Sequence, residues 1–180
     1  TWLRVCAPTS MPPARHACDL SAALRRMVQA LGARDRIDLE ADGPIRGEWG
    51  TGALLRALQN LVANALKYGS PGARVGVRLR RDGDTVLLSV HNDGAPIREE
   101  DQREIFRPFR RTKESVESGR RGWGLGLAIV QAVAEAHGGR ASVESTEASG
   151  TTFTLAMPLR APEGAQHAAA DRSLQPRSTS

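Results

Sequence analysis

The run Gly122-Trp123-Gly124-Leu125-Gly126-Leu127 constrains this chain most, because it opens directly into Ala128-Ile129-Val130-Gln131-Ala132-Val133-Ala134. Glycine lets a backbone take positive φ or approach a ligand closely. A helix N-terminus presents free N–H groups and partial positive charge. A glycine turn feeding a helix is therefore a candidate phosphate cradle, with an ordinary tight turn as the plain alternative. Just before it, the polar, arginine-rich stretch Arg110–Arg121 reads as a mobile loop hinged at Gly119 and Gly122.

The rest of the chain supplies an ordered set of elements. Asp19 is a good N-cap, followed at helical spacing by Leu20, Leu24, Met27, Val28 and Leu31, with Gly32 as the stop. Arg36–Ala41 alternates as a half-buried strand, and Ile45–Trp49 is a shorter one after Asp42-Gly43-Pro44. Thr51 is placed to cap a helix whose apolar face is Leu54, Leu55, Leu58, Leu61, Val62, Ala65 and Leu66, ended by Gly69-Ser70-Pro71-Gly72. Arg74–Leu79 and Val86–Val90 form a hairpin around Arg81-Asp82-Gly83-Asp84. Glu99–Phe106 reads as a short acidic helix, and the helix after the glycine run stops at His137-Gly138-Gly139. A second hairpin, Arg140–Ser145 and Thr151–Pro158, turns at Gly150.

This order implies an α+β fold: a two-layer α/β sandwich, with a mixed sheet of about five strands covered on one face by about three helices. Helices and strands do not alternate regularly, which excludes a doubly wound parallel sheet. Residues 1–18, interrupted by Pro8, Pro12 and Pro13, read as a linker from an upstream segment, 19–159 as the folded domain and 160–180 as a disordered tail.

Composition narrows the function classes. A 40% hydrophobic content over 180 residues is enough for one core. The net charge of +5 raises nucleic-acid binding, but the arginines are spread along the chain and not interleaved with aromatics, so no nucleic-acid partner is expected. Cys6 and Cys18 match neither a disulfide framework nor a zinc site. No apolar run reaches transmembrane length. The chain starts at Thr1, and the expectation is a piece of a longer protein.

Three polar constellations carry chemistry. Asn60 and Asn64 are one helical turn apart and share a face, with Lys67 about one turn further on. An amide carbonyl is a hard oxygen suited to Mg²⁺, which prefers oligophosphate partners and keeps its waters; a solvated polar stripe is the plain alternative. Val90-His91-Asn92-Asp93-Gly94-Ala95-Pro96-Ile97 ends a strand in turn chemistry that can present a polar side chain to a base edge. In Ile105-Phe106-Arg107-Pro108-Phe109-Arg110-Arg111, two aromatics three apart can anchor a basic loop.

In order and spacing, the chain resembles the catalytic, ATP-binding domain of sensor histidine kinases, members of the Bergerat-fold ATPase superfamily. The resemblance runs from about Asp19 to Leu159 and rests on LQNLVANALKYG, VHNDGAPI, IFRPF, GWGLGLAIV and GTTFTLAMP. It implies a Bergerat ATP-binding fold with ATP and Mg²⁺ as cofactors. Asn64 matches the Mg²⁺-coordinating asparagine, and Asn60 the position one turn earlier. Lys67 and Tyr68 match residues flanking the phosphates and the adenosine, and Arg111 a lid arginine that reaches the γ-phosphate. Gly122, Gly124 and Gly126, with Leu125 and Leu127, match the phosphate turn. Gly94, Ile97 and Thr151 match nucleotide-pocket positions. Asn60, Lys67 and Arg111 are the expected catalytic set.

The resemblance departs from the common pattern at two points. Asn92 stands where the family usually has an aspartate that accepts from the adenine amino group, and Pro96 where it usually has glycine. An asparagine can accept from adenine N6 and donate to N1. Hydrolysing relatives carry a glutamate base where this chain has Asn60, so the site is expected to hold ATP until a better nucleophile arrives. None of His16, His91, His137 and His167 fits the phosphoacceptor histidine. The implied function is γ-phosphate transfer to a histidine on a dimeric helical domain of the same protein, with a response regulator downstream. The implied location is the cytoplasm, for a parent protein either membrane-anchored or soluble. Two alternatives share the fold: a degenerate ATP-responsive signalling module, and a serine kinase or anti-sigma factor.

Overall fold

The computed structural model describes residues 15–32, 34–108 and 125–160. Seven strands and four α-helices are found among them: β1 (His16–Asp19), α1 (Leu20–Ala30), β2 (Ile37–Ala41), β3 (Arg46–Trp49), α2 (Thr51–Tyr68), β4 (Val75–Asp82), β5 (Thr85–Asn92), α3 (Glu99–Gln102), α4 (Gly126–Ala136), β6 (Arg140–Thr146) and β7 (Gly150–Pro158). The main sheet has the order β2-β4-β5-β7-β6, and β1 pairs with β3 in a separate two-stranded sheet. Only β2 and β4 run parallel; the other pairs of the main sheet are antiparallel. This is the expected mixed five-stranded sheet.

Period-2 patterning decides which face is covered. Val75, Val77 and Leu79 of β4, Val86, Leu88 and Val90 of β5, and Phe153, Leu155 and Met157 of β7 are buried on one face. The helices supply the other half of the core through Leu20, Leu24, Leu54, Leu58, Leu61, Val130 and Ala134. α2 is central, packing against α4, α1 and β5. The opposite face of the sheet is polar. There Ser89 Oγ and Thr154 Oγ1 lie 3.1 Å apart, and His91 Nδ1 lies 3.0 Å from Thr152 Oγ1.

Several local expectations change. The stretch read as a linker contains β1, which pairs His16↔Trp49 through Asp19↔Arg46. The ladder starts only after the last proline of that stretch, Pro13, as a proline without an N–H requires. Residues 1–14 and 161–180, and so most of the linker and tail, lie outside the described residues. Asp19 does cap α1, accepting from the Ala22 N–H at 3.0 Å. That helix ends at Ala30, one residue before Leu31, whose N–H reaches the Met27 and Val28 carbonyls.

Thr51 is not a cap: it is the first residue of α2, and its hydroxyl donates to Cys18 Sγ at 3.1 Å. The acidic helix is only Glu99–Gln102. The Gln102 amide donates to the Ile97 and Ser145 carbonyls at 2.7 and 3.0 Å. Residues leading to Pro108 are disfavoured from helix.

The C-terminus of α4 is tied to the N-terminus of α2 by His137. The ring is fully buried. Its Nδ1 lies 2.7 Å from the Val133 carbonyl, and its Nε2 accepts from the Gly50 N–H at 3.0 Å. These partners require the neutral Nδ1–H tautomer. Arg15 donates to the Ala136 carbonyl at 2.8 Å, completing the helix end.

Burial, aided by the charge of Arg15 and opposed by the Val133 carbonyl, holds the His137 pKa below its ordinary value of 6.5. The unfolded chain therefore binds this proton first as pH falls. The His137 contribution to stability is complete above pH 6.5 and is lost as pH falls toward the lowered folded value. The slope cannot exceed about 1.4 kcal/mol per pH unit from this one group. Urea midpoints measured from pH 7.5 to 5 should fall for the native chain. His137→Gln, which does not titrate, should start about 1–3 kcal/mol lower and show a shallower pH dependence. Parallel curves for the two chains would remove His137 from this role.

Candidate functional site

Three segments converge at one end of the helical layer: the C-terminal half of α2, the end of β5 with its turn, and the N-terminus of α4. Apolar periodicity fixes the orientation of α2. Leu54, Leu58, Leu61, Val62 and Ala65 face the core, which leaves Asn60 and Asn64 half-buried along its margin. Asn60 Nδ2 donates to the Arg56 carbonyl at 3.1 Å. Its Oδ1 lies 3.4 Å from the point where a side chain on Gly126 would begin. The first residue of α4 thus sits directly against the asparagine face. No side chain caps α4, whose N-cap residue is Leu125. Its terminal N–H groups are a ready anion site. Lys67 is in the last turn of α2, with Nζ 4.9 Å from the Tyr68 ring centroid.

The end of β5 is held to the end of α2 through the main chain. Gly69 and Gly94 form an isolated antiparallel bridge, and the Ser70 N–H donates to the Asp93 carbonyl. A Cβ on Gly94 would lie 2.5 Å from the Tyr68 carbonyl oxygen and 3.2 Å from Asn92 Nδ2. Only glycine fits between these groups.

The base of the cleft is a buried polar cluster. Asn92 and Thr151 are Cα partners across β5 and β7, and both are buried. Thr151 Oγ1 lies 2.6 Å from Ser145 Oγ, which accepts from the Ile97 N–H at 2.9 Å. Gly150, with φ +67°, turns β6 into β7 where a Cβ would lie 2.6 Å from the Asn92 carbonyl oxygen. Phe106 packs edge-on against Phe153 at 6.1 Å between ring centroids, anchoring the segment that leaves the turn.

The expected site residues therefore divide into groups. Asn60 and Gly126 meet, as do Tyr68, Asn92 and Gly94, and Asn92 and Thr151. Asn64 and Lys67 share the helix that presents Asn60. Ile97 and Leu127 are partly buried against the core, while Leu125 is exposed. Arg111, Gly122 and Gly124, together with Trp123, Phe109 and the hinge at Gly119, lie outside the described residues.

Sequence reasoning missed Ser145 and Gln102. Ser145 had a signal: it falls on the inward phase of β6 with Ala141 and Val143, where a polar residue needs a partner. Gln102 had none.

A cleft of about 880 Å³ opens elsewhere, lined by residues that include Cys18, Asp19, Arg46, Arg81, Asp84 and Leu159. It lies at the opposite end of β5 and β7, where Thr85 pairs with Pro158, and mixes charges of both signs around the β4–β5 turn. Asn60, Asn64, Asn92 and Gly126 are not part of it.

Comparison with known proteins places the chain in a family. Residues 51–161 match the family described as histidine kinase-, DNA gyrase B- and HSP90-like ATPase. The circadian input-output histidine kinase CikA of Synechococcus elongatus is 34% identical over 128 residues, which is 71% of this chain and 16% of CikA. Sensor histidine kinase YcbM of Bacillus subtilis is 35% identical over 130 residues, 72% of this chain and 42% of that protein. The chain thus spans less than half the length of these relatives. Among solved structures, the catalytic domain of histidine kinase ThkA superposes with a TM-score of 0.70 at 29% identity, covering 81% of this chain and 96% of ThkA's. The mycobacterial sensor histidine kinase MprB gives 0.68 at 29% identity, covering 82% and 99%.

The Gly94 contact yields a direct test. Gly94→Ala must displace the Tyr68 carbonyl, with an expected cost of about 1–3 kcal/mol, read as a lowered urea midpoint. Gly52→Ala is the control: nothing lies within 4 Å of a Cβ there, and its helical position favours alanine. Equal midpoints for the two variants would show that the close approach at Gly94 is not a constraint.

Proposed function

Since this chain belongs to the histidine kinase-, DNA gyrase B- and HSP90-like ATPase family, we propose that it is the ATP-binding catalytic domain of a two-component sensor histidine kinase. It transfers the γ-phosphate of ATP to a histidine on a dimeric helical domain of the same protein, which then serves a response regulator. The domain spans His16 to Leu159, and its place is the cytoplasm. The observation that carries this reading is the meeting of Asn60 with Gly126: a polar helix face and a glycine-led helix terminus, far apart in sequence, lie against each other.

In this reading the triphosphate lies at the N-terminus of α4, where the first-turn N–H groups and the helix dipole favour anionic oxygens. Lys67 and Arg111 add positive charge, and Tyr68 flanks the adenosine. Asn92 and Thr151 read the base beside Gly94 and Ile97. Of the expected phosphate-turn residues Gly122, Gly124, Leu125, Gly126 and Leu127, the last two are the first residues of α4 and Leu125 its N-cap, so the phosphates meet the helix terminus itself.

Mg²⁺ fits the donor set. Asn64 offers one neutral oxygen on the cleft margin, and the described residues contain no group of three His, Cys, Asp or Glu side chains that would cage an ion. One amide beside a triphosphate suits a cation that keeps several waters. Bound there, Mg²⁺ would neutralise phosphate charge. Asn60 has no basic site for a water proton, so it leaves ATP uncleaved until the histidine nucleophile arrives. The protein's part is then positioning and charge compensation, which is what phosphoryl transfer chiefly needs.

The decisive experiment mixes the chain with ATP, Mg²⁺ and a matching phosphoacceptor domain and follows acid-labile phosphate. Phosphohistidine is expected with the native chain. Asn64→Ala should slow transfer by about 10²-fold or more, the usual loss for one group that supports transition-state charge. ATP binding without transfer would point instead to a non-transferring signalling module. For base recognition, Asn92→Ala should weaken ATP binding by about 1–3 kcal/mol, the cost of losing one buried polar partner. Titration of ATP against that variant checks it, and unchanged affinity would remove Asn92 from the base pocket.

A further inference from the structure

The polar groups at the base end of the cleft can each act in two directions. Asn92 is 5% exposed, and among the described residues its side-chain amide makes no hydrogen bond. The amide lies over Gly94, with Nδ2 3.2 Å from the position a Cβ would take there. Nothing in this surrounding fixes which end of the amide is oxygen and which is nitrogen, and a half-turn about χ2 exchanges them.

Thr151 is equally unbiased. Ser145 Oγ already accepts from the Ile97 N–H, and its 2.6 Å contact with Thr151 Oγ1 can carry a proton in either direction. When Ser145 donates, the Thr151 proton is free for a ligand. When Thr151 donates, its remaining lone pair is free instead. The neighbouring carboxylate is turned away: Asp93 is 69% exposed and lies 3.3 Å from His91 Nε2, a residue on the polar face of the sheet.

A carboxylate at position 92 would only accept hydrogen bonds. It would match the 6-amino group of adenine and repel the 6-oxo group of guanine or hypoxanthine. An amide has no such bias. With oxygen toward position 6 and nitrogen toward position 1, it accepts from the adenine amino group and donates to N1. Turned over, it donates to a 6-oxo oxygen and accepts from N1–H. The Thr151 hydroxyl can follow either arrangement.

We propose that the base pocket of this chain accepts 6-oxopurine nucleoside triphosphates as well as adenine nucleotide, with Asn92 as the residue that permits both. This rests on the nucleotide-binding reading given above and specifies its substrate class.

The test displaces a fluorescent ATP analogue from the full chain with ATP, inosine triphosphate and uridine triphosphate. Inosine triphosphate carries the 6-oxo edge without the 2-amino group of guanine. It should compete at no more than about ten times the ATP concentration, an affinity gap of about 1.4 kcal/mol, with uridine triphosphate weaker than both. Asn92→Asp should widen the gap, raising the ratio of competing inosine triphosphate to competing ATP concentration by a further tenfold or more. Rejection of inosine triphosphate by the native chain, with ATP still bound, would overturn the inference and leave the nucleotide reading standing. Uridine triphosphate competing as well as inosine triphosphate would also overturn it, because the base would then not be read. Failure of ATP itself to bind would overturn both. If the aspartate variant does not fold, the ratio for the native chain decides alone.

Discussion

The site depends on a backbone staple between two elements that the chain does not place side by side. The Tyr68 carbonyl at the end of α2 and the Gly94 Cα at the end of β5 approach so closely that a Cβ would stand 2.5 Å from the oxygen. The Gly69–Gly94 bridge and the Ser70–Asp93 hydrogen bond close the same seam. Main-chain contacts of this kind have no rotamers to shift. They set the distance between the helix that carries Asn60, Asn64 and Lys67 and the strand that carries Asn92. A site read by side chains on both elements needs that distance held to a fraction of an ångström.

The two ends of α4 show how the fold distributes rigidity. At the C-terminus, His137, Arg15 and the Gly138 and Gly139 N–H groups all engage the last turn. At the N-terminus, Leu125 offers no cap, and Leu125 and Ile129 are each 38% exposed. The N–H groups of a helix's first turn lack intrahelical acceptors and favour an anion. Fixing the far end of the helix lets the near end stay open without α4 drifting from α2. The buried histidine holds the C-terminal end, and no side chain caps the N-terminal one.

Much of the fold was legible because its signals are local. Alternation in Val86–Val90 and Thr151–Pro158 fixed strands and their inward faces, and the Leu54–Leu66 periodicity fixed α2. What was not legible depended on partners distant in sequence. Cys18 takes the Thr51 hydroxyl, so a good capping residue does not cap. Trp49 and its neighbours give His16–Asp19 a strand to pair with, so part of a proline-interrupted segment joins the domain. Gln102 stops a short helix by bonding to a carbonyl on β6. The site shows the same division. Asn60, Asn64, Asn92 and the glycines stood out by type and spacing, whereas Ser145 became significant only when β6 placed it beside Thr151.

The amides at positions 60 and 92 are best understood together. By resemblance, these are positions where related proteins carry a carboxylate, one for water activation and one for the adenine amino group. A carboxylate at position 92 would be almost fully buried, and a buried charge without a partner is far costlier than a buried amide. Among the described residues, Asn92 is almost fully buried with no cation assigned to it, and Asn60 needs only a helix carbonyl for its NH₂. Neutral groups thus avoid a buried charge that lacks a partner. The same neutrality has two functional consequences. On the proposed reading, without a base at position 60 the site would not by itself direct water at a bound triphosphate. On the proposed reading, without a fixed negative charge at position 92 base choice would be set by which way an amide turns.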